Sequence, residues 1–240
     1  MFVPRLARVV AEGVVHHITQ RGNARRTVFD SDADRLVYLD LLRRDAALHR
    51  CSLVGYCLMS NHVHLMVVPH RADSIAQALW HTHGRYAAYL NARQGKVGHV
   101  WQGRYYSCPL DHGHLWTALR YVECNPVRAG MATLAEQYPW SSAAAHCAGA
   151  ERHAFLDLDF WRAEWNGPSW QEFLSNDTGH DSDAEQIRSN THTGRPLGAE
   201  AFVRWMEQKL HRPLAPRKGG RPVKRVVEAG QQSFDFAMSE

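Results

Sequence analysis

The feature that most constrains the fold is a pair of apolar runs, residues 51–58 and 62–68, separated only by Met59-Ser60-Asn61. Two extended segments so closely joined have no room for a crossover, and they close as an antiparallel hairpin. Pro69 lacks a backbone N–H and stops the second run. Side chains alternate faces along a strand, so Val63, Leu65 and Val67 share one face and His62 and His64 the other. Burying the aliphatic set leaves two imidazoles side by side on the opposite face.

The flanking segments extend this hairpin into a sheet with helices on it. Residues 14–20 read as a strand that ends in the turn-like Arg21-Gly22-Asn23. Ser31 and Asp34 form a capping-box pattern that opens a helix to about His49, with Leu36, Val37, Leu39, Leu41 and Leu42 as its buried stripe. Residues 73–92 read as a second helix with Ile75, Leu79 and Leu90 inside. A short strand over 104–110 and a helix over 111–124 follow, the latter halted by Asn125-Pro126. The order predicts an α+β fold, a mainly antiparallel sheet flanked by helices.

Three regions are expected: a first domain over 1–149, an acidic Trp-rich segment and linker over 150–196, and a C-terminal helix with a basic tail over 197–240. Within the second, residues 174–196 read as the linker. In the third, a helix over about 198–211 sets Ala199, Phe202, Val203, Met206 and Leu210 on one face. The charge follows the same division: net +6, −6 and +4 over 1–149, 150–192 and 193–240, and 24 of the 28 basic residues are arginine. Two basic regions rich in a phosphate-matching side chain point to a nucleic-acid partner and away from a membrane. No apolar run reaches the ~18 residues of a membrane span, and the first residues lack a signal-peptide core. Five cysteines without a C-x-x-C pair argue against a disulfide framework or a cysteine zinc finger. The expected location is cytoplasmic, with the nucleoid.

Two constellations can carry chemistry. Neutral imidazoles at the spacing of His62 and His64 can chelate one divalent cation, although most such pairs are simply partly buried polar residues. On the helix over 111–124, Tyr121 and Asn125 stand one turn apart and share a face. That places a hydroxyl nucleophile beside an amide oxygen, or equally a boundary tyrosine beside a helix-ending asparagine. A zinc hydrolase built on His62, His64 and a third histidine is a further reading, but no H-E-x-x-H helix supports it and it leaves Tyr121 without a task.

Taken together, these residues resemble a known family. His62-Val63-His64 is similar to the His-hydrophobic-His signature of HUH single-strand endonucleases. The strings HHITQRGN (16–23), LMSNHVHLMV (58–67), GHVWQGRYYS (98–107) and RYVECNPVRAG (120–130) resemble the REP-associated tyrosine transposases, in their order and spacing. The likeness covers about residues 3–145, and GRPLGAEAFV (194–203) resembles the C-terminal part of such proteins. It implies a metal-dependent endonuclease and strand transferase that cuts single-stranded DNA at or near palindromic hairpins through a 5′-phosphotyrosine. Tyr121 matches the nucleophile, His62 and His64 match the paired ligands, and Asn125 falls at the third ligand of a divalent metal, Mg²⁺ or Mn²⁺. A non-cleaving DNA-binding regulator on the same fold is the alternative, and the chain could act as a monomer or a homodimer.

DNA contacts are expected from Arg21, Asn23, Arg25 and Arg26 after the first strand, from Trp101 and Arg104 as a stacking ring with a basic neighbour, and from Arg128. Tyr86, Tyr89, Tyr105 and Tyr106 read as core or base-stacking residues. Arg217, Lys218 and Arg221 lie in a basic run whose Gly-Arg-Pro resembles a minor-groove hook.

Overall fold

A computed structural model describes residues 8–148, 155–176 and 180–214. Its strands are β1 (His16–Arg21), β2 (Cys51–Met59), β3 (His62–Pro69) and β4 (Tyr106–Pro109). Its helices are α1 (Asp32–Leu48), α2 (Ser74–Gln94), α3 (His112–Glu123), α4 (Asn125–Arg128), α5 (Ala143–Ala148), α6 (Leu158–Arg162), α7 (Gly167–Ser175), α8 (His180–Thr193) and α9 (Glu200–Leu210). The strands form one antiparallel sheet in the order β2-β3-β1-β4. This is the α+β fold that the sequence predicts.

Register fixes which residues share a face. Thr19 pairs with His64 and Tyr106, Arg21 with His62, and His17 with Met66 and Cys108. On the other face Ile18, Val63, Leu65 and Val67 meet α1 and α2 in a core filled by Phe29, Tyr38, Tyr86 and Trp101. The capping box of Ser31 and Asp34 forms as expected. The inner stripe of α1 differs from expectation, since Leu36 is 49% exposed while Asp34 and Asp45 are buried. Both acids have partners that make this possible: Asp34 bonds to Arg93 and Tyr89, Asp45 to Arg85 and Thr82. Buried charge is tolerated when it is paired.

The imidazole face is covered as well. Helix α3 lies on it with Leu115, Leu119 and Val122 inward, joined by Trp161 of α6 and Trp170 of α7. Gly55 sets how close α3 comes, because a Cβ there would lie 2.3 Å from Leu119 Cδ1. The acidic Trp-rich segment thus supplies core to this layer.

Residues 174–196, expected as a linker, contain α8, which packs on β4 and α3 with Ala184 and Ile187 buried. Its polar composition hid two short apolar anchors. The fourth strand begins at Tyr106, not at 104, because Gly103 turns the chain at φ 115°. Helix α9 lays Met206, Phe202 and Val203 against Val9 and Ala11, and Ala199 is its exposed N-cap, its N–H donating to Asp111 Oδ2. Among the described residues no helix is long and apolar enough to cross a membrane.

Candidate active site

A cleft of about 650 Å³ opens where the imidazole face of β1 and β3 meets α3, α4 and α8. His62, His64, Tyr121 and Asn125 all line it. His64 is 5% exposed and Tyr121 6%. The Tyr121 ring stands edge-on to His64 and to His17, with centroids 5.7 and 5.8 Å apart, and His62 lies 4.9 Å from His64. The halt at Asn125-Pro126 ends α3 just beyond the tyrosine, and α4 restarts the helix with Pro126 in its first turn, where a missing N–H costs nothing.

Hydrogen bonds orient both rings of the pair. His62 Nδ1 lies 2.6 Å from Asn61 Oδ1, an acceptor, so Nδ1 carries the proton. His64 Nδ1 lies 2.9 Å from His17 Nε2, and His17 Nδ1 lies 2.7 Å from Thr191 Oγ1. A neutral imidazole has one donor and one acceptor nitrogen, so one consistent assignment runs His64 to His17 to Thr191, each ring donating through Nδ1. Both ligand candidates then present an unprotonated Nε2. Desolvation holds the His62 pKa down at about 4, helped by Arg21, and that of His64 well below its ordinary value. Burial lowers His17 to about 3. The cluster is neutral at physiological pH, the state a metal ligand requires.

The donor set fits a divalent cation with two imidazole nitrogens and, at the third point, an amide oxygen. Asn125 Nδ2 donates to the Tyr121 carbonyl at 3.1 Å, which aims the amide, and its Oδ1 accepts from Arg128 at 3.1 Å. An amide oxygen has a second lone pair for a cation. Among the described residues no three His, Cys, Asp or Glu side chains are grouped to hold a metal. Of the other histidines lining the cleft, His17 is hydrogen-bonded to His64 and His192 stacks on Tyr106, and neither is grouped with the pair as a ligand.

Two guanidinium groups face the tyrosine. Arg128 sits 4.2 Å from the ring centroid and donates to the Tyr121 carbonyl, while Arg188 Nε donates to the hydroxyl at 3.2 Å. Arg21 and Arg25 line the same cleft, whose described lining contains no Asp or Glu. Asn23 is exposed in the turn after β1, where a Cβ on Gly22 would strike Arg26 O at 2.3 Å.

Other expected DNA contacts fall elsewhere. Arg26 donates to Gln94 at 2.6 Å. Trp101 is only 9% exposed, packs against Tyr38, His83 and Tyr86 and donates its indole N–H to His83 O, so most of its ring belongs to the core. Arg104 is exposed in a groove with Trp80 and Arg85, and is not among the residues lining the cleft. Tyr106 lines the cleft and stacks on His192, while Tyr86 and Tyr105 are buried. Arg217, Lys218 and Arg221 lie outside the described residues.

The sequence reading missed His17, Thr191 and Arg188. His17 was within reach, since residues 17, 19 and 21 share a face with 62 and 64 once β1 is paired with β3. Thr191 and Arg188 carried no local signal, because α8 looked like a linker.

The fold is thus a four-stranded antiparallel sheet that carries paired histidines, with a helix that sets a tyrosine over them. The family model described as "Transposase IS200 like" matches residues 11–125, the stretch that holds all four strands and α1 to α3. Over that stretch, just under half of its length, the chain is similar to the IS200-like transposases, a class of enzymes acting on DNA. Its fold is similar to the solved structure of a REP-associated tyrosine transposase bound to a REP hairpin, with a TM-score of 0.53 at 14% identity over 63% of this chain and 90% of that one. A crystal structure of a Deinococcus radiodurans R1 protein described as a transposase gives a TM-score of 0.35 at 18% identity, over 50% and 95% of the two chains. No curated protein matches the chain.

Proposed function

We propose that the protein is a metal-dependent single-stranded DNA endonuclease and strand transferase, cutting at or near hairpin repeats with Tyr121 as nucleophile. The observation that carries this reading is the meeting of the Tyr121 ring with His64 at 5.7 Å in a cleft lined by arginine and free of carboxylates among the described residues. His62 and His64, through Nε2, and Asn125, through Oδ1, would hold a divalent cation. When bound, Mg²⁺ or Mn²⁺ supplies Lewis-acid polarisation of a phosphate.

The chain's own groups do the rest. Arg21, Arg25 and Arg128 bring a phosphodiester into the cleft by charge, and Arg128 and Asn125 fix the backbone beneath the tyrosine. Tyr121 attacks phosphorus, the bond to the 3′ oxygen breaks, and a 5′-phosphotyrosine remains. The phosphorus–oxygen bond kept in that ester allows later strand joining without ATP.

The test uses the full chain with end-labelled single-stranded hairpins taken from repeats beside its own gene, run with Mg²⁺, Mn²⁺ or chelator. The expected result is a labelled adduct that survives denaturation, requires metal and vanishes in Tyr121→Phe. Binding without an adduct, across all hairpins and both metals, would replace this reading with that of a non-cleaving regulator.

A further inference from the structure

Helix α8 lies beyond the family-matched stretch, yet it closes one wall of the cleft with Arg188, Thr191 and His192. Arg188 is the group on it that reaches the tyrosine. Its Nε is 3.2 Å from the Tyr121 hydroxyl and its guanidinium carbon 5.5 Å from the ring centroid. A guanidinium carries five N–H donors in a planar fork, and this contact uses one. Arg188 takes part in no ion pair among the described residues, unlike Arg85 and Arg93, which are matched to Asp45 and Asp34. A cation placed at a phenol oxygen without a carboxylate beside it is suited to an arriving anion.

We propose that Arg188 is a further catalytic residue of the strand-cutting reaction: it holds the Tyr121 oxygen for attack and then binds the non-bridging oxygens of the tyrosyl phosphodiester. The proposal rests on the function proposed above. In that step the bond from Tyr121 oxygen to phosphorus forms as the bond from phosphorus to the 3′ oxygen breaks. The phenolic proton passes to solvent, and the 3′ oxygen takes a proton from solvent and leaves as a hydroxyl. No oxidation state changes. Once esterified, the tyrosine oxygen is a poor acceptor, and the fork turns to the phosphoryl oxygens beside it, which suit bidentate pairing.

Arg188 is not needed to dock its helix. Ala184 and Ile187 are buried, Thr191 bonds to His17, Asn190 donates to Pro196 O at 2.8 Å, and His192 stacks on Tyr106. Arg188→Ala is therefore expected to fold and bind DNA as the wild type does. Its adduct should form about 10²-fold more slowly, the usual loss for one donor removed from developing phosphoryl or acyl charge.

Two measurements decide. With labelled hairpin DNA and Mn²⁺, single-turnover adduct rates and DNA dissociation constants are compared for the wild type and Arg188→Ala. Without DNA, the Arg188 Nε–H resonance, assigned by its absence in Arg188→Ala, should exchange slowly in the wild type and fast in Tyr121→Phe. Equal adduct rates, or a rate loss matched by an equal loss of DNA affinity, would overturn the role of Arg188. Fast Nε–H exchange in the wild type would overturn the contact itself. A wild type that forms no adduct would instead overturn the function on which the proposal rests.

Discussion

Helix α3 carries two buried polar clusters two residues apart, and they are built on opposite plans. Glu123 is fully buried and accepts from Ser142 Oγ at 2.5 Å, from His146 Nδ1 at 2.6 Å and from Trp170 Nε1 at 2.8 Å. Trp161 stacks on the His146 ring and seals that cluster. Tyr121, by contrast, faces His17, His62 and His64, where the cleft has no carboxylate among its described lining and the nearest charges are arginines. The first cluster converges on the Glu123 carboxylate, leaves His146 Nε2 buried without a partner among the described residues, and fastens α3 to α5 and α7. The second lines an open cleft with the imidazoles of His62 and His64 and the guanidinium groups of Arg21, Arg25 and Arg188. A polar cluster that is internally balanced serves structure, and one left positively biased in a cleft awaits a ligand.

The largest effect that can break this comparison is loss of the carboxylate. Glu123→Ala strands the buried donors of His146 and Trp170, leaves Ser142 with the Tyr56 carbonyl alone, and should cost about 3–5 kcal/mol of stability, read by denaturant unfolding. A cost near zero would mean that the inner cluster is not the fastening described. Next, His17→Ala removes the partner of His64 and should weaken Mn²⁺ binding by about 10–100-fold, measured by calorimetry. His146→Ala should leave that affinity unchanged, and equal losses in the two variants would erase the distinction between the clusters.

Acidity tests the same contrast. Burial holds His62 at about 4 and His64 well below its ordinary value, so both stay unprotonated below the ordinary histidine range of about 6.5. Metal affinity should therefore change little from neutral pH to about 5 and fall only toward 4, whereas loss centred near 6.5 would indicate solvated rings. The sign for folding is the reverse of a salt-bridged histidine. The native rings stay neutral while the unfolded chain takes up protons below about 6.5, so stability falls as the pH drops through that window toward 3–4. Smallest is Thr191→Val, which removes one acceptor from His17 and should lower metal affinity only a few-fold.

Much of this arrangement was legible in the chain. The hairpin over 51–69, the capping box at Ser31 and the stop at Asn125-Pro126 are local signals, and the structure follows them. The pairing of His62 with His64 also follows from alternation alone. Their closeness to Tyr121 does not follow from local pattern, since it depends on Gly55 letting α3 approach the sheet. The resemblance supplied that link. An aromatic beside glycine and arginine looks the same on a surface as in a core, so the packing of Trp101 against Tyr38 and Tyr86 is not legible in the sequence. Helix α8 was missed because its exposed face outweighs Ala184 and Ile187 in composition.

The most direct test of the central claim locates the DNA on the chain. The denatured adduct is digested with nuclease and trypsin, and the peptide bearing a residual nucleotide is identified by mass spectrometry. The account predicts that the added mass lies on residues 121–128, at Tyr121. A nucleotide on Tyr105 or Tyr106, or on any other peptide, would contradict it.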